Sequence, residues 1–314
     1  MTQPARVGII GAGGVGGYYG GLLARAGHAV SFLARGANLS ALRERGVVVR
    51  TAEEEWTSAV VAGENVRELS APFGDGDLAL VTTKAYSLSE VSAAVRTFAE
   101  RGATILPLLN GVEAAETLVK LGVPREQIIG GVTYISAVRI APGTIHRRTA
   151  AQRVIVGELP RGTSARVKQV AAMFEKAGAQ GEASEDITLA LWQKFVFLAS
   201  LAAGCGLARL PLGPVRDNPL GARLLERAVR EAIAVGRARG VALREDEEEQ
   251  TLSAIESLPA GTEPSLLLDI RSGRRTEVDV LSGAVARFAA EAGIETPIHD
   301  TAAIALAQAP STGT

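Results

Sequence analysis

Lys194 is the one charged side chain in LALWQKFVFLASLAAGCGLA, residues 189–208. Burial penalises the charged form of a lysine, so apolar surroundings pull its pKa below the usual value of about 10.4. Such a group can still be charged near neutrality yet gives up its proton more readily than a surface lysine, as a general acid must. A bland role is equally open: the stem lies along an apolar helix and the ammonium snorkels out to water. The stretch is also long enough to suggest a membrane span, which needs roughly twenty apolar residues. Against that stand its central lysine, which costs about 2.5–3.5 kcal/mol to insert, its run of small residues (Ala202-Ala203-Gly204-Cys205-Gly206), and the lack of a companion span. A buried helix of a helical domain is the expectation.

The second pattern with chemical content opens the chain. Val7–Ile10 is a short apolar run of the kind found in buried parallel strands. It leads into Gly11-Ala12-Gly13-Gly14-Val15-Gly16, a G-x-G-x-x-G sequence, and then into a helical pattern through Leu22, Leu23 and Ala26 that stops at Gly27. Ala29–Leu33 forms the next strand. In this strand–turn–helix–strand setting the glycines bind a dinucleotide: Gly11 makes the tight turn, Gly13 admits the pyrophosphate, and Gly16 lets the helix pack on the strand. The phosphates then meet a helix N-terminus. An NAD site carries a carboxylate at the end of the second strand, for the ribose 2′-OH. Here that strand ends Phe32-Leu33-Ala34-Arg35-Gly36, and Arg35 suits a 2′-phosphate. NADP(H) is therefore the expected cofactor. Further strands are expected at Leu78–Thr82, Thr104–Leu108, Ile128–Gly131 and Arg153–Val156. Lys84 and Asn110 lie just past two of them, where doubly wound sheets bind ligands; each alone reads equally well as an ordinary loop residue.

These residues need two kinds of scaffold. At 314 residues the chain is long enough for two domains, and 47% hydrophobic with 21% charged residues is ordinary for globular proteins. A net charge of −1 gives no footprint for nucleic acid or a membrane surface. One cysteine and three histidines argue against a disulfide and against a metal site. The opening MTQPARVGII has no signal-peptide pattern, and a cytoplasmic protein, monomeric or homodimeric, is expected. From Ser184 onward the pattern is helical: Leu225, Ala228, Val229, Ala232 and Val235 precede Gly240, and Val278, Leu281, Val285, Phe288 and Ala289 precede Gly293. The run REDEEE (244–249) reads as a solvated helix start. The expected fold is thus α/β, a Rossmann-type domain over residues 1–183 followed by an all-helical domain over 184–314.

The glycine motif, Arg35, TTKAYS with Lys84, LLNGVE with Asn110, LWQKF with Lys194, PSLLLDIRSGRRTEVD with Ser265 and Glu277, and the late AGIETP together resemble the ketopantoate reductase (2-dehydropantoate 2-reductase) family. The resemblance implies the same two-domain architecture. It also implies NADPH-dependent reduction of a 2-oxo acid, in the first place ketopantoate to pantoate for pantothenate synthesis. By the same resemblance Lys194 is the catalytic acid and contacts substrate, Ser265 binds the substrate carboxylate, Glu277 lies near the nicotinamide end, and Asn110 contacts both nicotinamide ribose and substrate. One departure stands out. Family members commonly carry asparagines four and eight residues after the lysine, whereas this chain has Leu198 and Ala202. A site without those anchors does not select for a substrate hydroxyl. The alternatives are accordingly a reductase of a less polar 2-oxo acid or ketone, and a non-catalytic NADP(H)-binding regulator.

Overall fold

A computed structural model describes residues 5–69, 73–74 and 76–307. Its strands are β1 (Arg6–Ile10), β2 (Ala29–Leu33), β3 (Val47–Arg50), β4 (Glu55–Ser58), β5 (Val61–Gly63), β6 (Leu78–Val81), β7 (Thr104–Pro107), β8 (Gly130–Ala141), β9 (Thr144–Gly157) and β10 (Gln180–Ala183). Its helices are α1 (Gly14–Arg25), α2 (Gly36–Arg45), α3 (Leu88–Glu100), α4 (Ala114–Lys120), α5 (Ala165–Lys176), α6 (Ile187–Ala208), α7 (Leu212–Arg216), α8 (Pro219–Ala238), α9 (Glu247–Glu256), α10 (Ser265–Arg271), α11 (Ser282–Ala292) and α12 (Pro297–Ala305). The chain divides into two units, one of residues 1–109 with 113–188, the other of 110–112 with 189–314.

The first unit is built on a parallel sheet of order β5-β2-β1-β6-β7. Ile9 and Ile10 of β1, and all four residues of β6 and of β7, are buried, as expected of strands covered on both faces. Helix α1 lies between this sheet and a second one, and its glycines make that possible. A Cβ at Gly20 would sit 2.4 Å from the Phe32 ring of the first sheet, and one at Gly17 or Gly21 would strike Ile145 or Val49 of the second. The second sheet has the order β10-β9-β3-β4, with β8 antiparallel to β9.

This second sheet corrects the strand expectations. Ile128–Gly131 and Arg153–Val156 do not extend the parallel sheet: Ile128 makes a single parallel bridge to Ile105, while Gly130 and Gly131 pair with Gly157 and Val156 in the β8–β9 hairpin. The hairpin is hard to read locally because its register jumps. Ile135 faces Gln152 but Ala137 faces Arg147, so residues 148–151 leave the ladder and are exposed.

The second unit is helical, with no strand among its described residues. In α8 the predicted face is buried: Leu225, Ala228, Val229, Ala232 and Val235. Asn218 caps this helix, its Oδ1 accepting from the N–H groups of Leu220 and Gly221. The periodicity from Val278 breaks differently from expectation. Val278–Val280 is a 3-10 turn, and α11 begins only at Ser282, ending at Gly293 in the left-handed conformation. The acidic run supplies Glu247, Glu248 and Glu249 to the first turn of α9 as expected, but Glu247 is not solvated. It is buried and accepts a 3.0 Å hydrogen bond from Gln193 Nε2. Helix α6 has the length and composition of a membrane span, yet Phe195, Val196, Ala199, Leu201, Ala202, Ala203 and Cys205 form part of the second unit's core.

Candidate active site

Two groups of side chains are assembled, one in each unit. In the first unit, Gly11 leaves β1 with φ +110°, a backbone that other residues rarely adopt. A Cβ there would lie 2.6 Å from the Thr82–Thr83 backbone; at Gly14 it would lie 2.0 Å from the Ala137 carbonyl, and at Gly16 2.2 Å from Thr82 Oγ1. Around Gly13, by contrast, a Cβ would meet nothing within 4 Å. The turn is therefore packed tightly on three glycines and open over the fourth, where a pyrophosphate needs room. The N–H groups of Gly14, Val15 and Gly16, in the first turn of α1, have no acceptor within the helix, the feature that suits a helix start to an anion. Ala12 and Val15 are half-buried and pack against the core beneath.

Arg35 directly precedes α2 and is exposed, and no carboxylate lies in Ala34–Ala37. Lys84 is half-buried and precedes the short 3-10 turn Ala85–Ser87 that follows β6. These residues fit a nicotinamide dinucleotide. Two residues that hold the turn carry no signal in the sequence. Thr82 Oγ1 donates to the Gly11 carbonyl at 2.8 Å, and Asn38 Nδ2 donates to the Ala12 carbonyl at 3.2 Å. Neither belongs to the glycine motif, and no local pattern marks them.

In the second unit α6 presents Lys194. Trp192, Phe195 and Val196 around it are buried, Trp192 packing edge-on against Phe195 at 5.2 Å between ring centroids. Burial pushes the Lys194 ammonium down to about 8, and the negative charge of Glu277 opposes that fall. Glu277 is itself buried and directly precedes the 3-10 turn. Its Oε2 accepts a 3.1 Å hydrogen bond from Asn110 Nδ2. Asn110 follows β7 in the chain, but residues 110–112 belong to the second unit. Gly111, with φ +87°, fits against the Val280 carbonyl, which a Cβ would approach to 2.8 Å. The structure thus brings Lys194, Glu277 and Asn110 into one group. Ser265 opens α10 and is exposed. Along the face of α6 that follows Lys194, Leu198 is half-buried and Ala202 buried, so neither expected position carries a polar group.

The first unit thus offers a glycine turn with room for an anion, and the second a lysine with a weakened hold on its proton. Comparison with known proteins gives the chain a family. The family model described as ketopantoate reductase PanE/ApbA matches residues 7–161, and the model of the C-terminal region of the same family matches residues 186–309. The chain is similar to the 2-dehydropantoate 2-reductase of Halobacterium salinarum, 31% identical over 95% of this chain and 96% of the relative. Among solved structures it is similar to 2-dehydropantoate 2-reductase from Geobacter metallireducens, with TM-score 0.86, 31% identity, and 96% and 98% of the two chains covered. The corresponding protein of Methylococcus capsulatus gives TM-score 0.85 at 27% identity, covering 96% and 95%. With a Rossmann-like first domain, a helical second domain and both family models matched in order, the chain is an oxidoreductase belonging to the ketopantoate reductase family.

Proposed function

We propose that the protein is a cytoplasmic, NADPH-dependent reductase that converts ketopantoate to pantoate, the reaction for which the relatives are named. The observation that carries this reading is the grouping of Lys194, Glu277 and Asn110. When bound at the glycine turn, the dinucleotide supplies a hydride to C2 of the 2-oxo acid. The carbonyl oxygen then needs a proton and, until it has one, a positive charge to oppose its developing negative charge. Lys194 Nζ provides both. With its pKa near 8, Lys194 is mostly charged at neutral pH and close to the point of releasing its proton. Glu277 keeps the ammonium charged, and its hydrogen bond with Asn110 fixes the amide, leaving Asn110 Oδ1 for a ribose or substrate hydroxyl. Ser265 donates to the substrate carboxylate. Lys84 and Arg35 hold the cofactor, Arg35 through the 2′-phosphate. The sum is 2-oxo acid, NADPH and one proton giving 2-hydroxy acid and NADP⁺.

Leu198 and Ala202 favour a second reading, reduction of a less polar 2-oxo acid on the same residues. NADPH oxidation with ketopantoate and a panel of 2-oxo acids bearing alkyl or aryl tails separates the two. Faster turnover of ketopantoate upholds the first reading. Turnover of an apolar acid with none of ketopantoate replaces it by the second, and no turnover of any 2-oxo acid removes both.

A further inference from the structure

Asn38 is an amide in the first turn of α2 that does nothing for its own helix. It is buried, and both ends of its side chain reach segments remote in sequence. Nδ2 donates to the carbonyl of Ala12, inside the glycine turn, at 3.2 Å. Oδ1 accepts from the N–H of Gly143, at the tip of the β8–β9 hairpin, at 2.8 Å. The tip is anchored independently: Gly143 has φ +69°, its carbonyl accepts from Val48 N–H at 2.8 Å, and Arg45 donates to the Pro142 carbonyl. The same hairpin touches the glycine turn at a second point, where the Ala137 carbonyl lies against Gly14.

We propose that Asn38 is a positioning residue for the dinucleotide, tying the glycine turn to the hairpin so that the Ala12–Gly13 peptide is held in one orientation. A peptide is planar and its C=O and N–H point in opposite directions, so holding the Ala12 carbonyl also holds the Gly13 N–H. That N–H donates to the Gly11 carbonyl at 2.8 Å, which closes the turn. If the peptide rotated, a carbonyl oxygen could face the entering phosphates and repel them. With the Ala12 carbonyl held on Asn38, that oxygen stays engaged while the N–H groups at the start of α1 are offered to an anion. Asn38 touches neither phosphate nor substrate in this account; it acts through the turn.

The inference rests on the cofactor reading above, and the test separates the two. NADPH binding to the purified protein is measured by fluorescence titration for wild type, Asn38→Asp and Asn38→Ser, alongside turnover at saturating NADPH and the thermal midpoint of the unliganded protein. Asn38→Asp keeps the shape and the acceptor for Gly143 but loses the donor to Ala12 and adds a negative charge beside the turn, so its result counts only where the uncharged Asn38→Ser agrees with it. It is expected to weaken NADPH binding about five- to tenfold, the worth of roughly one hydrogen bond, with turnover at saturation within about twofold of wild type. Asn38→Ser, which can no longer span both segments, is expected to weaken binding at least as much; it supplies the reading should the aspartate variant fail to fold. Unchanged NADPH affinity in folded variants, whatever happens to the thermal midpoint, overturns the proposal and leaves Asn38 a stability residue. Loss of turnover at saturation without loss of affinity also overturns it. A wild-type protein that does not bind NADPH overturns the cofactor reading, and the role of Asn38 with it.

Discussion

Replacing Lys194 with methionine should make the protein more stable and inactive at once. The unfolded chain holds this lysine's proton with its ordinary pKa of 10.5, whereas the folded protein holds it at about 8. Each tenfold in proton affinity is worth about 1.36 kcal/mol, so at neutral pH folding carries a penalty of about 3 kcal/mol for keeping this ammonium charged and half-buried. Water reaching the exposed part of the side chain lowers that figure. Methionine has nearly the same length, no charge, and a flexible thioether that accommodates to irregular packing beside Trp192 and Phe195. Urea denaturation at pH 7 should therefore show the Lys194→Met variant more stable by about 1–3 kcal/mol, and the gain should shrink as pH rises from 8 toward 10.5, where the wild-type penalty disappears. Turnover should fall by at least about a hundredfold, the contribution of a positioned general acid, with NADPH affinity little changed. A methionine variant that is less stable at pH 7 than wild type would show that the lysine is satisfied in place and that its proton affinity is not depressed by burial. A variant that still turns over would remove Lys194 from the mechanism.

The pH profile carries the next prediction. Reduction should decline above pH 8 as the Lys194 ammonium is lost, and Glu277→Gln, which removes the charge opposing that loss, should move the inflection downward by about one pH unit or more; an unmoved inflection separates Glu277 from Lys194. His299 is buried between α8, α11 and α12, with Nε2 3.0 Å from the Ala228 carbonyl and Nδ1 3.2 Å from Ser282 Oγ, and burial pushes its pKa down to about 4. The unfolded chain protonates this imidazole near 6.5 and the folded protein only near 4, so stability present above pH 6.5 should be lost across that window, by about 3 kcal/mol. His299→Gln should flatten the dependence of unfolding free energy on pH there, and an unaltered slope would assign the loss to other groups. Arg35→Asp should weaken NADPH binding about ten- to a hundredfold and shift preference toward NADH, read by titration with both cofactors; equal losses for the two would place Arg35 away from the 2′-phosphate.

What the sequence displays and what it conceals divide along contact distance. The turn from Gly11 to Gly16, helix α1 and strand β2 are continuous in the chain, and their pattern is local, so they were legible. So was α8, whose buried face repeats at helical spacing, and so was the apolar core of α6. The second sheet was not. β3, β4 and β10 have only four residues each, two of them with polar, half-exposed faces, and the β8–β9 ladder is broken where residues 148–151 leave it. Asn38 had no local signature at all, because its partners lie 26 and 105 positions away. Glu247 is hidden for the same reason: charge patterning places it in water, while Gln193, 54 residues distant in the chain, gives it a buried partner.

Lys194 shows why its own role could not be settled from composition. An apolar segment lowers a lysine's proton affinity whether the residue is catalytic or merely tolerated, so the twenty residues around it fit both cases. What the fold adds is a buried carboxylate, Glu277, that raises the pKa burial has lowered and itself accepts from Asn110, 167 residues away; the catalytic role proposed above draws its support from that pair. The pair makes physical sense if the ammonium must stay near its titration point, neither locked in the charged state by full solvation nor neutralised by the apolar core. On the same helix face, Leu198 and Ala202 continue the apolar surroundings of the lysine. On the proposed function, the low polarity that sets the lysine's proton affinity also bears on the choice of 2-oxo acid, so that Leu198→Asn should raise turnover of hydroxyl-bearing acids relative to alkyl ones in the substrate panel, and an unchanged ratio would detach α6 from substrate choice.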